Sequence, residues 1–131
     1  MYIFFVAVCC NELKDTSALD NFETEKKISF PKAYKDVIKR HNAGIPARNS
    51  IRINDNQVTD VKLLLSFDEE DEESIYAAYP FFSKRGVVPF AVDSAGNYFC
   101  FDKDKIVFWE HEVDEFIELT KNFTLFLEKL Y

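Results

Sequence analysis

The stretch Val87-Val88-Pro89-Phe90-Ala91-Val92-Asp93-Ser94-Ala95-Gly96-Asn97-Tyr98-Phe99-Cys100-Phe101-Asp102 constrains the fold of this chain more than any other. Two short apolar runs flank a tight polar turn, the pattern of an antiparallel hairpin. Gly96 falls where such a turn commonly needs a positive φ, which glycine adopts without steric cost. A third apolar run follows the turn Asp102-Lys103-Asp104-Lys105. Residues 87–92, 98–101 and 106–111 therefore predict a three-stranded meander.

Upstream, the spacing predicts two helices and a β region. Thr16 or Ser17 suits the cap of a short helix running to about Lys27, with Leu19 and Phe22 as its apolar stripe. Phe30-Pro31 opens a better helix, because proline at the first helical position sacrifices no hydrogen bond. Tyr34, Val37, Ile38 and His41 recur at helical spacing, and Gly44 and Pro46 stop the helix. Ile51 and Ile53 alternate with Arg52 and Asn54, Asn54-Asp55-Asn56 reads as a turn, and Val61, Leu63 and Leu65 form a second alternating set. Ser74 suits the cap of a short helix through Phe82, interrupted at Pro80. The C-terminal end reads as helical, with Phe116, Phe123, Phe126, Leu127 and Leu130 on one broad face. Helices at both ends of a run of strands imply an α+β domain with an antiparallel sheet of about five or six strands. One face would pack on the helices, and the other could stay partly open to solvent or a partner.

At 131 residues, 1–131 reads as a single domain. Folding at this length buries roughly two-thirds of the extended surface, and 14 Phe and 6 Tyr supply core material. The formal net charge of −7 repels phosphate backbones, which argues against nucleic acid and suits either solubility alone or a basic protein partner. The three cysteines, Cys9, Cys10 and Cys100, show no zinc-site spacing and fit a reducing cytoplasm. The run from Met1 to Cys10 falls short of the roughly 20 apolar residues of a membrane span and lacks the basic start of a secretory signal. Residues 1–15 thus read as an apolar leader, a strand or a segment laid on the domain, with a disordered leader as the second choice. The leader could also cover a sheet edge of its own chain or of a second copy, leaving monomer and homodimer both open.

Several short motifs follow one another along the chain: Phe22-Glu23, Phe30-Pro31, Tyr34-Lys35 and His41-Asn42-Ala43-Gly44, then Pro89-Phe90-Ala91 with Asp93 and Gly96-Asn97, then Phe101-Asp102, Val107-Phe108-Trp109, Asn122-Phe123 and Phe126-Leu127. In this order they resemble the SUKH superfamily, the Smi/Knr-type domain. The similarity runs from about Ala18 to Leu130. Ala43 stands where the family often has glycine, a substitution taken as harmless. The resemblance implies a fold and a role: bacterial members are often immunity proteins that bind and block a toxin domain, often a nuclease, and fungal relatives act through protein contacts in cell-wall regulation. It implies no catalytic centre and no cofactor.

Candidate sites are few. The acidic run Asp68, Glu69, Glu70, Asp71, Glu72 and Glu73 resists burial and reads as a solvated loop able to steer a basic partner. Trp109, Glu110 and His111 form a second candidate. Alternation puts Trp109 and His111 on one face, where Trp109 is either core or an anchor for a partner. Asp93, Asp102, His111 and Glu112 admit a metal or acid–base reading, but no second histidine or cysteine has ligand spacing, and Asp93 more simply accepts hydrogen bonds in its turn. Ser94 lacks a nucleophile-elbow setting, and Cys100 has no helix N-terminus to activate it. The expected function is binding and neutralisation of a cognate, basic toxin domain in the cytoplasm, with no catalytic residue, metal or cofactor. The alternatives are a non-catalytic regulatory adaptor and, remotely, a small metal-dependent hydrolase.

Overall fold

The computed structural model describes residues 12, 13 and 15–131. The expectation for the leader therefore falls almost wholly outside the described residues. Of its described residues, Leu13 is buried, and its N–H donates to the Lys39 carbonyl at 2.8 Å.

Two helices come first, α1 (Ser17–Lys26) and α2 (Lys32–Arg40). Leu19 and Phe22 of α1, and Tyr34 and Ile38 of α2, face the core. The connection between the helices is held by Glu23. Its carboxylate accepts from the Phe30 N–H at 2.7 Å and lies 3.5 Å from the Lys35 ammonium. An aromatic residue followed by glutamate thus does two things here: Phe22 fills the core while Glu23 pins the turn into α2.

After α2 the chain turns through Ala43, whose φ is +60°. The left-handed conformation falls on Ala43, and an L-residue there pays about 1–2 kcal/mol of Cβ strain. The replacement of glycine by alanine at this position is therefore not harmless.

A hairpin of β1 (Ser50–Asn54) and β2 (Gln57–Asp60) forms a separate two-stranded sheet. The chain end joins it, since Ser50 and Tyr131 exchange two backbone hydrogen bonds of 3.0 Å. The main sheet has five antiparallel strands in the order β3-β4-β5-β6-β7: β3 (Leu63–Leu64), β4 (Val88–Val92), β5 (Tyr98–Asp102), β6 (Lys105–Glu110) and β7 (Glu115–Thr120). The fold is α+β, with the helices flanking antiparallel sheets, as the pattern predicts.

Three local expectations are corrected. Val61, Leu63 and Leu65 do not form one alternating strand. Val61, Leu64, Leu65 and Phe67 are buried instead, because the chain leaves the small sheet after Asp60 and joins the large one at Leu63. Pro80 does not interrupt α3 (Ile75–Ser83), which runs through it. Phe116 belongs to β7, paired with Trp109 of β6, and not to the closing helix α4 (Phe123–Lys129).

The sheet separates two apolar clusters. On one side Phe99, Phe101, Ile106 and Phe108 meet α1, α2 and α4 in the main core. Aromatic rings interlock there: Phe90 stacks on Phe101 at 4.4 Å, and Tyr34 meets Phe30, Phe101 and Phe123 at 5.0–5.5 Å. By alternation along β5 and β6, Cys100, Val107 and Trp109 point the other way. Phe82 of α3 covers them together with Val87. The second face is thus largely covered by α3.

Candidate functional site

The described surface carries a groove of about 700 Å³ between α1, the turn after α2, the acidic loop and the start of α3. Its floor is apolar, made by Leu13, Ala18, Phe22, Phe67 and Tyr76. Its walls carry Glu12, Asp15 and Glu25 from one side and Asp68, Glu69, Glu70 and Asp71 from the other, with no lysine or arginine among the described residues that line it.

The loop is held in place by its base. Ser66 and Ser74 form a parallel bridge, with Ser66 N–H donating to the Glu73 carbonyl and Ile75 N–H to the Ser66 carbonyl. Asn42 then ties this base to α2: its Oδ1 accepts from the Phe67 N–H at 2.8 Å, and its Nδ2 donates to Ser66 Oγ at 3.2 Å. The buried Ser66 hydroxyl donates to Asp71 and accepts from the Asp68 N–H at 3.0 Å. Ser74 Oγ caps α3 by accepting from the Ala77 N–H at 3.1 Å. The loop backbone is therefore anchored, and Asp68, Glu69, Glu70, Asp71 and Glu72 are all exposed. Glu73 is tied back to Lys62 at 3.0 Å and does not line the groove.

Negative potential at the groove is visible on Tyr76. Burial first, then the charges of Glu69, Glu25, Asp15 and Asp68, push its hydroxyl pKa up. The floor also accepts a cation at its margin: the Lys26 ammonium lies 5.9 Å from the Phe22 ring centre and 5.5 Å from that of Tyr79, beside Glu25 at 3.3 Å. An apolar floor under a carboxylate wall matches a basic side chain, whose aliphatic stem needs apolar contact and whose head needs anions.

The acidic loop is the half of this groove that charge patterning reveals. The other half, Glu12, Asp15 and Glu25, was missed. A partial signal existed: Ala18, Asn21, Phe22 and Glu25 share one face of α1 by helical spacing, and all four line the groove.

Trp109, Glu110 and His111 lie apart from the groove lining. Trp109 is 9% exposed and packs with Phe82 at 5.2 Å and Phe81 at 5.0 Å. This corrects the anchor reading: Trp109 is a core residue, because α3 lies over its face. His111 is exposed but engaged. The Asn97 side-chain oxygen accepts from the His111 N–H at 3.0 Å and lies 2.6 Å from its Nδ1, which therefore carries the proton. Glu110 ends β6, half-buried, paired with Glu115 of β7.

Asp93 is the buried centre of the hairpin turn, as its structural reading expects. Its carboxylate accepts from Thr59 Oγ1 at 2.7 Å, Ala95 N–H at 3.0 Å, Asn97 N–H at 2.7 Å and Asn97 Nδ2 at 3.0 Å. Gly96 takes φ +89° there, and a Cβ on it would meet the His111 ring at 3.7 Å. Asp93 also ties the main sheet to the small one through Thr59. Asp102 and Glu112 are exposed. No three His, Cys, Asp or Glu among the described residues are arranged to hold a metal ion. Burial pushes the Cys100 thiol pKa well up, which suppresses the reactive thiolate.

Antiparallel sheets flanked by helices, with anchored turns and an acidic groove, define a small α+β domain. The chain belongs to the SUKH group of domains: residues 16–127 match the family described as SMI1-KNR4 cell-wall. No curated protein matches the chain. Among the described residues no helix is long and apolar enough to cross a membrane.

Proposed function

We propose that this protein binds a basic toxin domain, of which a nuclease is the favoured class, and neutralises it by steric and electrostatic occlusion in the cytoplasm of the cell that makes both. The observation that carries this reading is the groove, where, among the described residues, seven carboxylates surround an apolar floor and no lysine or arginine lines the wall. Nucleases bind phosphate through basic residues, and a fixed set of carboxylates competes for those residues. Anchoring of the loop by Asn42 and Ser66 lowers the entropy lost on binding, which favours affinity. Electrostatic steering speeds encounter, and an interface of roughly 800 Å² per partner reaches nanomolar affinity when its anchors are good.

The test is co-expression with the toxin encoded by the neighbouring gene. Rescue of growth is expected, with loss of rescue when Asp68, Glu69, Glu70 and Asp71 are changed together to lysine. Absence of rescue by any adjacent toxin would overturn the toxin reading. The description of the family as a cell-wall family favours one second reading, a regulatory adaptor that uses the same groove for a basic protein partner without inhibiting a toxin.

A further inference from the structure

The strand β7 lies at the end of the main sheet. Among the described residues nothing bonds the backbone of its outer edge. A six-residue strand whose outer edge no described residue bonds presents alternating N–H and C=O groups to an extended chain of suitable chemistry.

The side chains around this edge define that chemistry. Phe116 of β7 is 38% exposed, Val113 in the preceding turn 56%, and Phe81 of α3 47%. Phe116 pairs with Trp109 across the strands, and Phe81 stands 5.0 Å from the same indole, so the exposed rings share one buried neighbour. Arg85 lies 4.4 Å over the Phe81 ring and pairs with Asp114, which keeps Phe81 in place. Charge along the segment is one-sided: residues 110–121 hold five carboxylates against Lys121 alone. Glu118 meets Lys105 at 3.1 Å but stays 63% exposed.

We infer that β7 is a docking edge for a basic β-strand of a partner protein, which extends the sheet by one strand. An apolar residue of the incoming strand covers Phe116, a lysine or arginine two positions away meets Glu118 on the same face, and another on the opposite face meets Glu115. A second copy of this chain is the disfavoured occupant, because self-pairing would set one row of carboxylates beside another. The surface is distinct from the acidic groove, and the inference holds whether or not the partner is a toxin.

The probe is a short capped peptide built on Lys-Thr-Val-Lys, which in antiparallel register sets valine against Phe116 and lysine against Glu115 and Glu118, with the glutamate-for-lysine peptide as its counterpart, added to the full chain at low salt. Amide exchange followed by NMR is expected to slow at alternate residues of 115–120 with the lysine peptide only. The double variant F116K/E118K should keep the melting temperature and lose binding by about tenfold or more. If that variant fails to fold, E115K/E118K, which changes only exposed carboxylates, serves the same purpose. Three results would overturn the inference: no protection of β7, equal protection by both peptides, or protection confined to the groove residues. A dimer of the free chain that buries Phe116 would also overturn it, by showing the edge to be taken by a second copy. Failure of toxin rescue leaves this experiment unaffected, so the two ideas fail separately.

Discussion

The indole Nε1–H of Trp109 donates to the Asp114 carboxylate at 2.7 Å, and Arg85 holds the same carboxylate. Arg85 first, then Trp109, keep the Asp114 carboxyl below its ordinary value of 3.8. A folded-state pKa below the unfolded one means that the bond contributes above the unfolded pKa and is lost as pH falls through the folded one. Trp109 is the chain's single tryptophan, so its emission reports the event. An acid titration of fluorescence is expected to show a step below 3.8, absent in Asp114→Ala. A step at or above the ordinary aspartate range would contradict the geometry.

Tyr34 is fully buried, and its hydroxyl has no hydrogen-bond partner among the described residues. Burial drives its pKa far up, so the group stays neutral. An unpaired buried hydroxyl costs about 1–3 kcal/mol. Tyr34→Phe should therefore raise stability by about 1 kcal/mol, read as a higher urea midpoint at unchanged slope. A clear loss of stability would reveal a partner for the hydroxyl.

Ala43 carries positive φ, and relief of that strain outweighs the extra freedom glycine brings to the unfolded chain. Ala43→Gly is expected to stabilise by about 1 kcal/mol, whereas the β-branched Ala43→Val should destabilise by more than that. Thermal melts of the two variants check the opposite signs.

Asn42 joins α2 to the base of the acidic loop through Phe67 and Ser66. Asn42→Ala leaves the Phe67 N–H unpaired, at about 1–3 kcal/mol. Hydrogen exchange should accelerate in residues 66–74 while α4 and β5 keep their protection. Uniform acceleration would show that Asn42 supports the whole domain rather than the loop.

Much of this architecture was legible in local patterns. The meander was visible because β4, β5 and β6 are short apolar runs separated by turn residues, and α1 and α2 because Leu19, Phe22, Tyr34 and Ile38 recur at helical spacing. The order of small motifs was enough for the family, since Glu23, Asn42, Asp93 and Asn97 each hold a turn that the fold requires. Phe116 misled for a physical reason: its seven-residue distance from Phe123 fits one helical face, and only pairing with Trp109 places it in a strand.

By itself, then, the sequence determined the α+β class, the family, the central hairpin and the exposure of the acidic loop. These depend on interactions between residues close along the chain, or on charge that cannot be buried. Tertiary structure alone decided that Trp109 is covered by α3, that β7 is an edge, and that Glu12, Glu25 and Asp71 line one groove. Those facts rest on contacts between distant segments, which periodicity does not encode and which exist only once the chain path is closed.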